Sequence, residues 1–296
     1  MTHRRLRGVL TALVTPFRDD GAIDWDAWDR LVARQLEAGV HGLVPCGTTG
    51  ETPALTLDEW AGLIERAVRA AGGRVPVVPG TGTNSTQKTI ERTRRARDLG
   101  ADAALVVTPY YNKPNPAGLA AHYARVAEEG GLPVVLYNVP SRTGLNAAPE
   151  LVLEIARDER ICAVKEASGN LGQAMTLIAG RRDGFSVLSG EDDMTLAMTL
   201  LGGDGVISVL SNVDPGGFVR MVEHAFAGRV EQAREEHYRL LELIRALFAE
   251  TNPVPAKAAL ARLGLCTDRV REPLAPAGEA TRARLESGLE RAGLLA

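Results

Sequence analysis

Short runs of β-branched and apolar residues recur along this 296-residue chain, and a longer amphipathic stretch follows each run. Eight runs have this form: residues 8–17, 42–47, 76–82, 103–110, 133–140, 161–167, 186–191 and 205–210. Strands that alternate with helices pair in parallel, and eight such units can close into a barrel. The pattern therefore predicts an α/β chain with a (β/α)8 TIM barrel, and a doubly wound parallel sheet is the structural alternative.

The chain after the eighth run has a different pattern. Residues 218–228 are expected to form the last barrel helix, and the sequence from about residue 230 is almost wholly helical in pattern, with a break at Pro253 and Pro255. Proline interrupts a helix because it lacks an amide donor and clashes with the preceding turn. The sequence thus predicts a barrel at residues 1–229 and a C-terminal helical extension, packed on the barrel, at residues 230–296.

Composition limits the partners and the compartment that this chain suits. A net charge of −3 with 24% charged residues gives no general attraction to nucleic acid or to an anionic membrane. No apolar stretch approaches the roughly 18 residues that a membrane-spanning helix needs. Cys46, Cys162 and Cys266 match no zinc spacing, which indicates a reduced, cytoplasmic protein. The histidines and acidic residues form no recognisable metal site or Ser-His-Asp set.

Candidate functional residues gather where the predicted strands end. In a barrel of this kind the active site lies at the carboxyl ends of the strands. Four sequence clusters fall there: residues 47–51 (GTTGE), 108–112 (TPYYN), 137–144 (YNVPSRTG) and 164–170 (VKEASGN). We expect these clusters to meet above the barrel and to carry its chemistry.

Lys165 is the sharpest single signal, because it ends the apolar run Ile-Cys-Ala-Val-Lys. Strand alternation is expected to put Ile161, Ala163 and Lys165 on one face. An amine among apolar neighbours is poorly solvated, which favours the neutral form that can condense with a ketone to give an imine. The alternative is an ion-paired or snorkelling lysine at a strand end. The chain contains four lysines in all: Lys88, Lys113, Lys165 and Lys257.

Other side chains near the strand ends suit a small acidic substrate. Tyr137 ends the preceding strand, so its phenol could exchange protons with a ligand held by Lys165; a core aromatic residue with a satisfied hydroxyl is the alternative. The GTTGE loop precedes a helix with a capping box at Thr56 and Glu59, so its amides and hydroxyls could hold a carboxylate, although tight turns also need such glycines. Arg142 could grip a second carboxylate bidentately, or it could be exposed and solvated.

These residues carry a resemblance to a known family. The chain resembles the dihydrodipicolinate synthase and N-acetylneuraminate lyase superfamily along essentially its whole length, from LVTPF at residues 13–17 to TNPVPAK at residues 251–257. Within that superfamily, the segments YNVPSRTG, VKEASGN and LSGEDD look like the synthase branch. The arginine at position 142 is the main reason for this choice, because the sugar-acid lyases usually lack it.

The resemblance implies a role for each of eight residues. Lys165 matches the Schiff-base lysine and Tyr137 the general acid and base, while Thr48 and Tyr111 match the rest of a proton relay. The positions that match substrate contacts are Thr49 for the pyruvate carboxylate, Arg142 for the carboxylate of the second substrate, and Gly190 and Ile207 for backbone contacts near the lysine. In the family the second tyrosine reaches the neighbouring subunit's site, so the resemblance implies a tight dimer, usually paired into a homotetramer. Tyr110 and Tyr111 could otherwise be aromatic packing at a barrel rim.

The implied reaction is the condensation of pyruvate with L-aspartate 4-semialdehyde to give 4-hydroxy-tetrahydrodipicolinate, in lysine and diaminopimelate biosynthesis. No cofactor is expected, because the imine replaces a metal ion as electron sink. One alternative is a related aldolase or lyase that acts on a sugar acid or a hydroxy-oxo acid. The other is a barrel that senses pyruvate without turnover, which the presence of Lys165, Tyr137, Thr48 and Tyr111 together disfavours, because a binding protein needs no proton relay.

The sequence departs from the family pattern where some members bind lysine as a feedback inhibitor. Those members carry polar residues, histidines and a glutamate there, whereas the matching positions here include Pro53, Leu57, Trp60 and Lys88. The cation at Lys88 would repel the ammonium groups of lysine, and Leu57 offers no hydrogen bond. We therefore expect weak or absent feedback inhibition by lysine.

Overall fold

Seven parallel strands form the centre of the molecule in a computed structural model that describes residues 5–295. Their order across the sheet is β2-β1-β7-β6-β5-β4-β3, so β2 and β3 are the two outer strands of this order. The strands are β1 (Gly8–Ala12), β2 (Gly42–Val44), β3 (Ala104–Val107), β4 (Val134–Asn138), β5 (Ile161–Glu166), β6 (Ser186–Ser189) and β7 (Gly205–Ser208). The prediction of a parallel α/β sheet is confirmed.

Residues 76–82 lie between β2 and β3 but do not form the regular strand that their sequence predicts. They make isolated parallel bridges instead, Leu43 with Val77 on one side and Gly80 with Leu105 on the other. The prolines at positions 76 and 79 have no amide hydrogen, so a continuous hydrogen-bond ladder cannot form. The bridges still join both outer strands, so the ring of eight segments is consistent with a TIM barrel.

Twelve α-helices follow or connect the strands of the described chain. They are α1 (Trp25–Glu37), α2 (Leu57–Ala71), α3 (Thr86–Asp98), α4 (Pro116–Gly130), α5 (Pro140–Thr143), α6 (Pro149–Ile155), α7 (Leu171–Gly180), α8 (Thr195–Leu200), α9 (Pro215–Phe226), α10 (Val230–Leu247), α11 (Val254–Arg262) and α12 (Glu279–Arg291). The predicted capping box of α2 is present, with the Thr56 hydroxyl accepting from Glu59 N and the Glu59 carboxylate accepting from Thr56 N.

Helix α9 begins and ends earlier than the predicted range of 218–228. Asp214 caps its amino end by accepting a hydrogen bond from Gly217 N at 2.9 Å, and Pro215 occupies the first turn. Proline is favoured there because its missing amide would have no intrahelical partner. The boundary error therefore comes from a capping signal that was present in the sequence.

Two apolar layers share the strands between them. Residues such as Leu10, Val135 and Leu188 point into the ring, whereas Val9, Val134 and Val187 pack against the surrounding helices. Both faces of every strand are thus covered, as expected for a parallel sheet. The charged and polar residues of the predicted active site lie at the ends of the strands.

Strand β5 does not keep the simple alternation that was expected of it. Ala163 and Lys165 share the inner face, but Ile161 packs in the outer layer. The pairing of β4 with β5 shifts register between Val134 and Val135, so that Cys162 is an extra residue on β5. An extra residue reverses the side-chain alternation on one side of the irregularity, which corrects the predicted position of Ile161.

The last helices, α10 to α12, follow Val230 and lie against the barrel elements. Their division from the barrel at residues 229 and 230 stays a prediction, and its outer limits at residues 1–4 and 296 lie outside the described residues. No helix within residues 5–295 is long and apolar enough to cross a membrane. The same residues contain no group of three or more His, Cys, Asp or Glu side chains that could hold a metal ion.

Candidate active site

Lys165 and Tyr137 meet at the carboxyl ends of neighbouring strands. Tyr137 of β4 pairs in register with Lys165 of β5, and the Lys165 Nζ atom lies 4.4 Å from the centre of the Tyr137 ring. Both side chains are buried, with 6% of Lys165 and 7% of Tyr137 exposed. The pairing follows from the parallel register of two adjacent strands, which places residues at equivalent depth side by side.

The surroundings of Lys165 differ from those of the other buried lysine. Lys257 on α11 is fully buried and forms an ion pair with Glu51, at 2.6 Å between Nζ and Oε1. It is thus the structurally paired kind of buried lysine. Within residues 5–295, no carboxylate forms an ion pair with Lys165. Of the two buried lysines in this part of the chain, Lys165 is therefore the one whose amine is available to a ligand.

A cavity of about 170 Å³ lies above Lys165 and collects most of the predicted site residues. Its size suits a small organic acid. Six of the eight predicted residues line it: Thr48, Thr49, Tyr137, Arg142, Lys165 and Gly190. They come from the loop after β2 and from the ends of β4, β5 and β6, as expected for a site at the strand ends.

The loop after β2 holds its two threonines in a tightly turned backbone. Cys46 and Glu51, on either side of the loop, adopt left-handed φ values of 56° and 53°. Thr49 is buried, and its hydroxyl accepts a hydrogen bond from Asn252 Nδ2 at 2.9 Å. Thr48 is partly exposed towards the cavity. The two threonines thus lie in a loop whose backbone is tightly turned at both ends.

Arg142 stands at the mouth of the cavity on the short helix α5. Within the described residues, only Asn252 accepts a hydrogen bond from its guanidinium, through the backbone oxygen at 3.4 Å. A guanidinium has five N–H donors in a planar fork. Most of them are therefore available to a carboxylate that enters the cavity.

Gly190 shows why a glycine precedes the three acidic residues of LSGEDD. A Cβ atom at this position would lie 2.5 Å from the Cβ of Ala167 and 3.0 Å from the Cε of Lys165. Any side chain would thus displace the lysine stem. The Gly190 amide donates to Glu166 O at 2.7 Å, which holds the ends of β5 and β6 together.

Two predicted residues lie outside this cavity. Ile207 on β7 is fully buried in the inner apolar layer, below the residues that line the site. Tyr111 follows β3 with a left-handed φ of 69° and is 88% exposed. Tyr111 is therefore not part of the cavity of its own chain.

Several residues of the site were not predicted from the sequence. Asn252, which joins Thr49 to Arg142, is 203 residues away from Thr49 in the chain. Glu166 adjoins Lys165 and accepts hydrogen bonds from Asn138 Nδ2 and Gln173 Nε2, both at 3.1 Å. Glu166 stood inside the quoted segment VKEASGN, but nothing local to Asn252 marked it. Long-range partners of this kind have no periodic signal.

Two acidic residues after β6 have unusual proton affinities. Burial, helped by the neighbouring charge of Asp193 and opposed by Lys165, raises the pKa of Glu191 to about 7. Burial likewise raises the pKa of Asp192 to about 6, although the amides of Leu210 and Val209 donate to its carboxylate and oppose this. Glu191 also lines the cavity. Its carboxyl can therefore gain or lose a proton near neutral pH.

An outer cavity of about 400 Å³ adjoins the site, with Thr48, Tyr137 and Arg142 common to both linings. Pro53 and Lys88, from the expected lysine-binding positions, line this outer cavity. Leu57 is exposed, but Trp60 is buried and donates its indole N–H to Gly80 O at 3.1 Å. The outer cavity thus carries cations where an ammonium ligand would need anions.

Known proteins resemble this chain over almost its whole length. Residues 5–292 match the model of the dihydrodipicolinate synthetase family. A protein of Maridesulfovibrio salexigens named 4-hydroxy-tetrahydrodipicolinate synthase is 48% identical, with 98% of this chain and 99% of that protein covered. A protein of the same name from Thermomicrobium roseum is 50% identical, with coverages of 96% and 94%.

A crystal structure gives the same result for the fold. The dihydrodipicolinate synthase of Thermotoga maritima superimposes with a TM-score of 0.96 at 45% identity, covering 99% of this chain and 100% of that one. The two proteins thus share 45% of their aligned residues as well as the fold. The chain therefore belongs to the dihydrodipicolinate synthetase family.

Proposed function

We propose that this enzyme condenses pyruvate with L-aspartate 4-semialdehyde to give 4-hydroxy-tetrahydrodipicolinate, a step in lysine and diaminopimelate biosynthesis. The observation that carries the proposal is the buried, unpaired Lys165 beside Tyr137 in a cavity that also holds Thr49 and Arg142. The full-length relatives with the synthase name support the same reaction. A sugar-acid lyase is not favoured, because these relatives, which match nearly the whole chain, carry the synthase name.

The first step of the proposed mechanism is attack of the Lys165 amine on the keto carbon of pyruvate. Loss of water gives a protonated imine, which draws electrons from the methyl group and makes it acidic. In this proposal Tyr137 passes the required protons, and the distance of 4.4 Å between the centre of its ring and the Lys165 amine supports this role. The imine takes the role that a metal ion or cofactor would have as electron sink, so we propose that none is needed.

The second step joins the two substrates. Removal of a methyl proton gives an enamine, whose carbon attacks the aldehyde of the semialdehyde, and the new alkoxide takes up a proton. In this proposal Thr49 holds the pyruvate carboxylate and Arg142 the carboxylate of the second substrate. We also propose that the backbone at Gly190 and Ile207 contacts the substrate near the lysine, and that Thr48 completes a proton relay together with Tyr137 and with Tyr111 from a neighbouring subunit.

The last step releases the product. The amine of the substrate attacks the imine carbon, the bond between that carbon and Lys165 breaks, and a ring closes. One water molecule is lost over the whole reaction, in the first step. The lysine is regenerated as a free amine, so no oxidant, reductant or further reactant is required.

We propose in addition that the enzyme works as a homotetramer in the cytoplasm. Tyr111 is 88% exposed in the single chain, and a contact with other subunits would cover it together with the other exposed apolar side chains Leu57, Tyr110, Met175, Leu200 and Leu201. The three free cysteines of the described chain agree with a reducing compartment. The C-terminal helices contribute to the proposed active site, because the segment between α10 and α11 brings Asn252 to Thr49.

The test of this function has two parts. Purified enzyme is treated with pyruvate and borohydride, and the peptides are mapped; the reduced adduct is expected on Lys165 and not on Lys88, Lys113 or Lys257. Pyruvate consumption is then compared for L-aspartate 4-semialdehyde, N-acetylmannosamine, glyceraldehyde and glyoxylate. Trapping that persists in Lys165→Ala would refute the imine, whereas preference for a sugar aldehyde would refute the synthase reaction alone.

A further inference from the structure

Among the described residues that line the catalytic cavity, Glu191 is the only acidic one. The other charged side chains of the lining are Lys165 and Arg142, both cations. One carboxylate between two cations could be a simple charge balance, but Glu191 is not paired with either. Within residues 5–295, its carboxylate takes part in no hydrogen bond or ion pair.

The backbone of Glu191 is firmly held although its side chain is not. Its amide donates to Ser189 Oγ at 3.1 Å, and its carbonyl oxygen accepts from Ser189 Oγ at 2.7 Å and from Thr195 Oγ1 at 3.0 Å. The residue is therefore fixed at the cavity wall with the charged end of its side chain unoccupied. The carboxylate is therefore free to contact a ligand in the cavity.

The charges of the substrates leave one partner unassigned, if the proposed function holds. Pyruvate carries one carboxylate, and the amino aldehyde carries a carboxylate and an ammonium group. Thr49 and Arg142 account for the two carboxylates, but no residue has been assigned to the ammonium. An ammonium that enters a partly buried cavity needs an anionic or hydrogen-bonding partner, because it loses its hydration there.

We propose that Glu191 binds the α-ammonium group of the amino aldehyde and accepts its proton before the ring closes. The nitrogen must lose this proton to gain a lone pair for attack on the imine carbon. Of its two other protons, one passes to the departing Lys165 amine as the C–N bond breaks, and one is released to solvent. Glu191 is thus a specificity-determining and catalytic residue of the second half-reaction.

The proton affinity of Glu191 suits this role. Burial is the largest cause that raises the pKa of Glu191, and the charges of Asp193 and Asp192 raise it too. Lys165 and Arg142 lower it, and the resulting pKa is about 7. Near neutral pH the side chain is therefore often ionised and ready to bind a cation, yet basic enough to take a proton. A carboxyl with an ordinary pKa would be a much weaker base.

The experiment compares two aldehydes that differ only in the amino group. Glu191→Gln keeps the shape of the side chain and removes its charge, and succinic semialdehyde lacks the ammonium of L-aspartate 4-semialdehyde. With the amino aldehyde, we expect Glu191→Gln to lower kcat/KM about 10²-fold. The acid limb near pH 7 in the pH profile of kcat/KM should disappear in this variant. With succinic semialdehyde, single-turnover formation of the adduct on Lys165 should change less than about 2-fold.

Controls separate this inference from the proposed function and from general damage. Asp193→Asn removes a charge that raises the pKa of Glu191, so it should move the acid limb to lower pH while keeping most of kcat/KM, and Glu191→Asp should restore part of the loss. Equal losses with both aldehydes, or no loss with either, would overturn the role of Glu191. If the wild-type protein fails to trap pyruvate at all, the proposed function fails first.

Discussion

At the scale of single residues, the same amino acid has opposite roles at two buried positions. Lys257 is neutralised by Glu51, whereas Lys165 has only the ring of Tyr137 beside its amine. The tyrosines divide in the same way: buried Tyr123 donates its hydroxyl to Val106 O at 2.9 Å, while Tyr137 faces the cavity. Each pair offers one structural residue against which the functional one can be tested.

The first prediction concerns Tyr137. Tyr137→Phe should lower kcat by roughly 10²- to 10⁴-fold, because it removes the proposed proton donor and acceptor. Tyr123→Phe is the control, since it loses one buried hydrogen bond and about 1 kcal/mol of stability but should keep its activity. Steady-state assays of both variants decide the matter, and similar kcat values for the two would contradict the role of Tyr137.

The second prediction concerns His122, which is buried on α4. Its Nδ1 atom is 2.9 Å from Thr86 Oγ1, its Nε2 atom has no partner among the described residues, and burial lowers its pKa to about 4. The unfolded chain binds a proton more readily, so stability should fall as the pH drops from about 6.5 towards 4, by roughly 3 kcal/mol in total.

Urea unfolding of the wild type and His122→Asn measures this effect. The difference between the two free energies of unfolding should shift in favour of the variant between about pH 7 and about pH 4.5, because asparagine does not titrate. The subtraction removes the contributions of other groups, including Glu191 and Asp192. A difference that stays constant over this range would show that His122 is not the cause.

At the scale of elements, the loop that carries Thr48 and Thr49 depends on helix α11 from the other end of the chain. Glu51 accepts a hydrogen bond from Arg271 N at 2.9 Å and pairs with Lys257 on α11, whose amine lies 4.0 Å from the centre of the Phe17 ring. The loop is thus held at Glu51 by Lys257 and Arg271, two residues that are distant from it in sequence.

The third prediction tests this tie. Lys257→Met leaves the Glu51 carboxylate buried without its cation and should lower the free energy of unfolding by roughly 3–5 kcal/mol. The double variant Glu51→Gln with Lys257→Met should lose less than the two single variants together. Arg262→Ala is the control, because its pair with Glu286 is exposed on α11 and α12 and should contribute little to the free energy of unfolding. Purely additive losses would contradict the coupling.

At the scale of the whole molecule, the exposed Tyr111 decides whether one chain is a complete enzyme. The fourth prediction uses two inactive variants, Tyr111→Phe and Lys165→Ala, which are mixed and allowed to exchange subunits. If Tyr111 serves the neighbouring site, each mixed dimer has one intact site, and random mixing should restore roughly a quarter of the activity. No recovery after verified exchange would place the tyrosine in its own subunit or outside catalysis.

The fifth prediction concerns regulation by lysine. The outer cavity carries Lys88, Arg92 and Arg142 and has no acidic residue in its lining. Lysine should therefore inhibit weakly or not at all in a steady-state assay, since its ammonium groups meet like charges. Strong inhibition at low lysine concentration would overturn this prediction, and the variant Lys88→Glu provides the comparison in which repulsion is reduced.

The sequence by itself determined the order of strands and helices and most of the residues around the cavity. Alternating apolar runs fix which segments become strands, and the strand ends then fix where Lys165, Tyr137 and Arg142 lie, because parallel strands expose their carboxyl ends at one edge. The family pattern added Thr48, Thr49 and Gly190. These features depend on local periodicity and on residues within one segment.

Only the tertiary structure decided the remainder. The irregularity at Cys162 turned Ile161 outwards, and the prolines at positions 76 and 79 reduced a strand to isolated bridges. Asn252 and Lys257 reach the loop after β2 across more than 200 residues of chain. Glu191 differs from other glutamates only through its burial and its neighbours. Such properties arise from contacts between distant segments, which leave no periodic trace in the sequence.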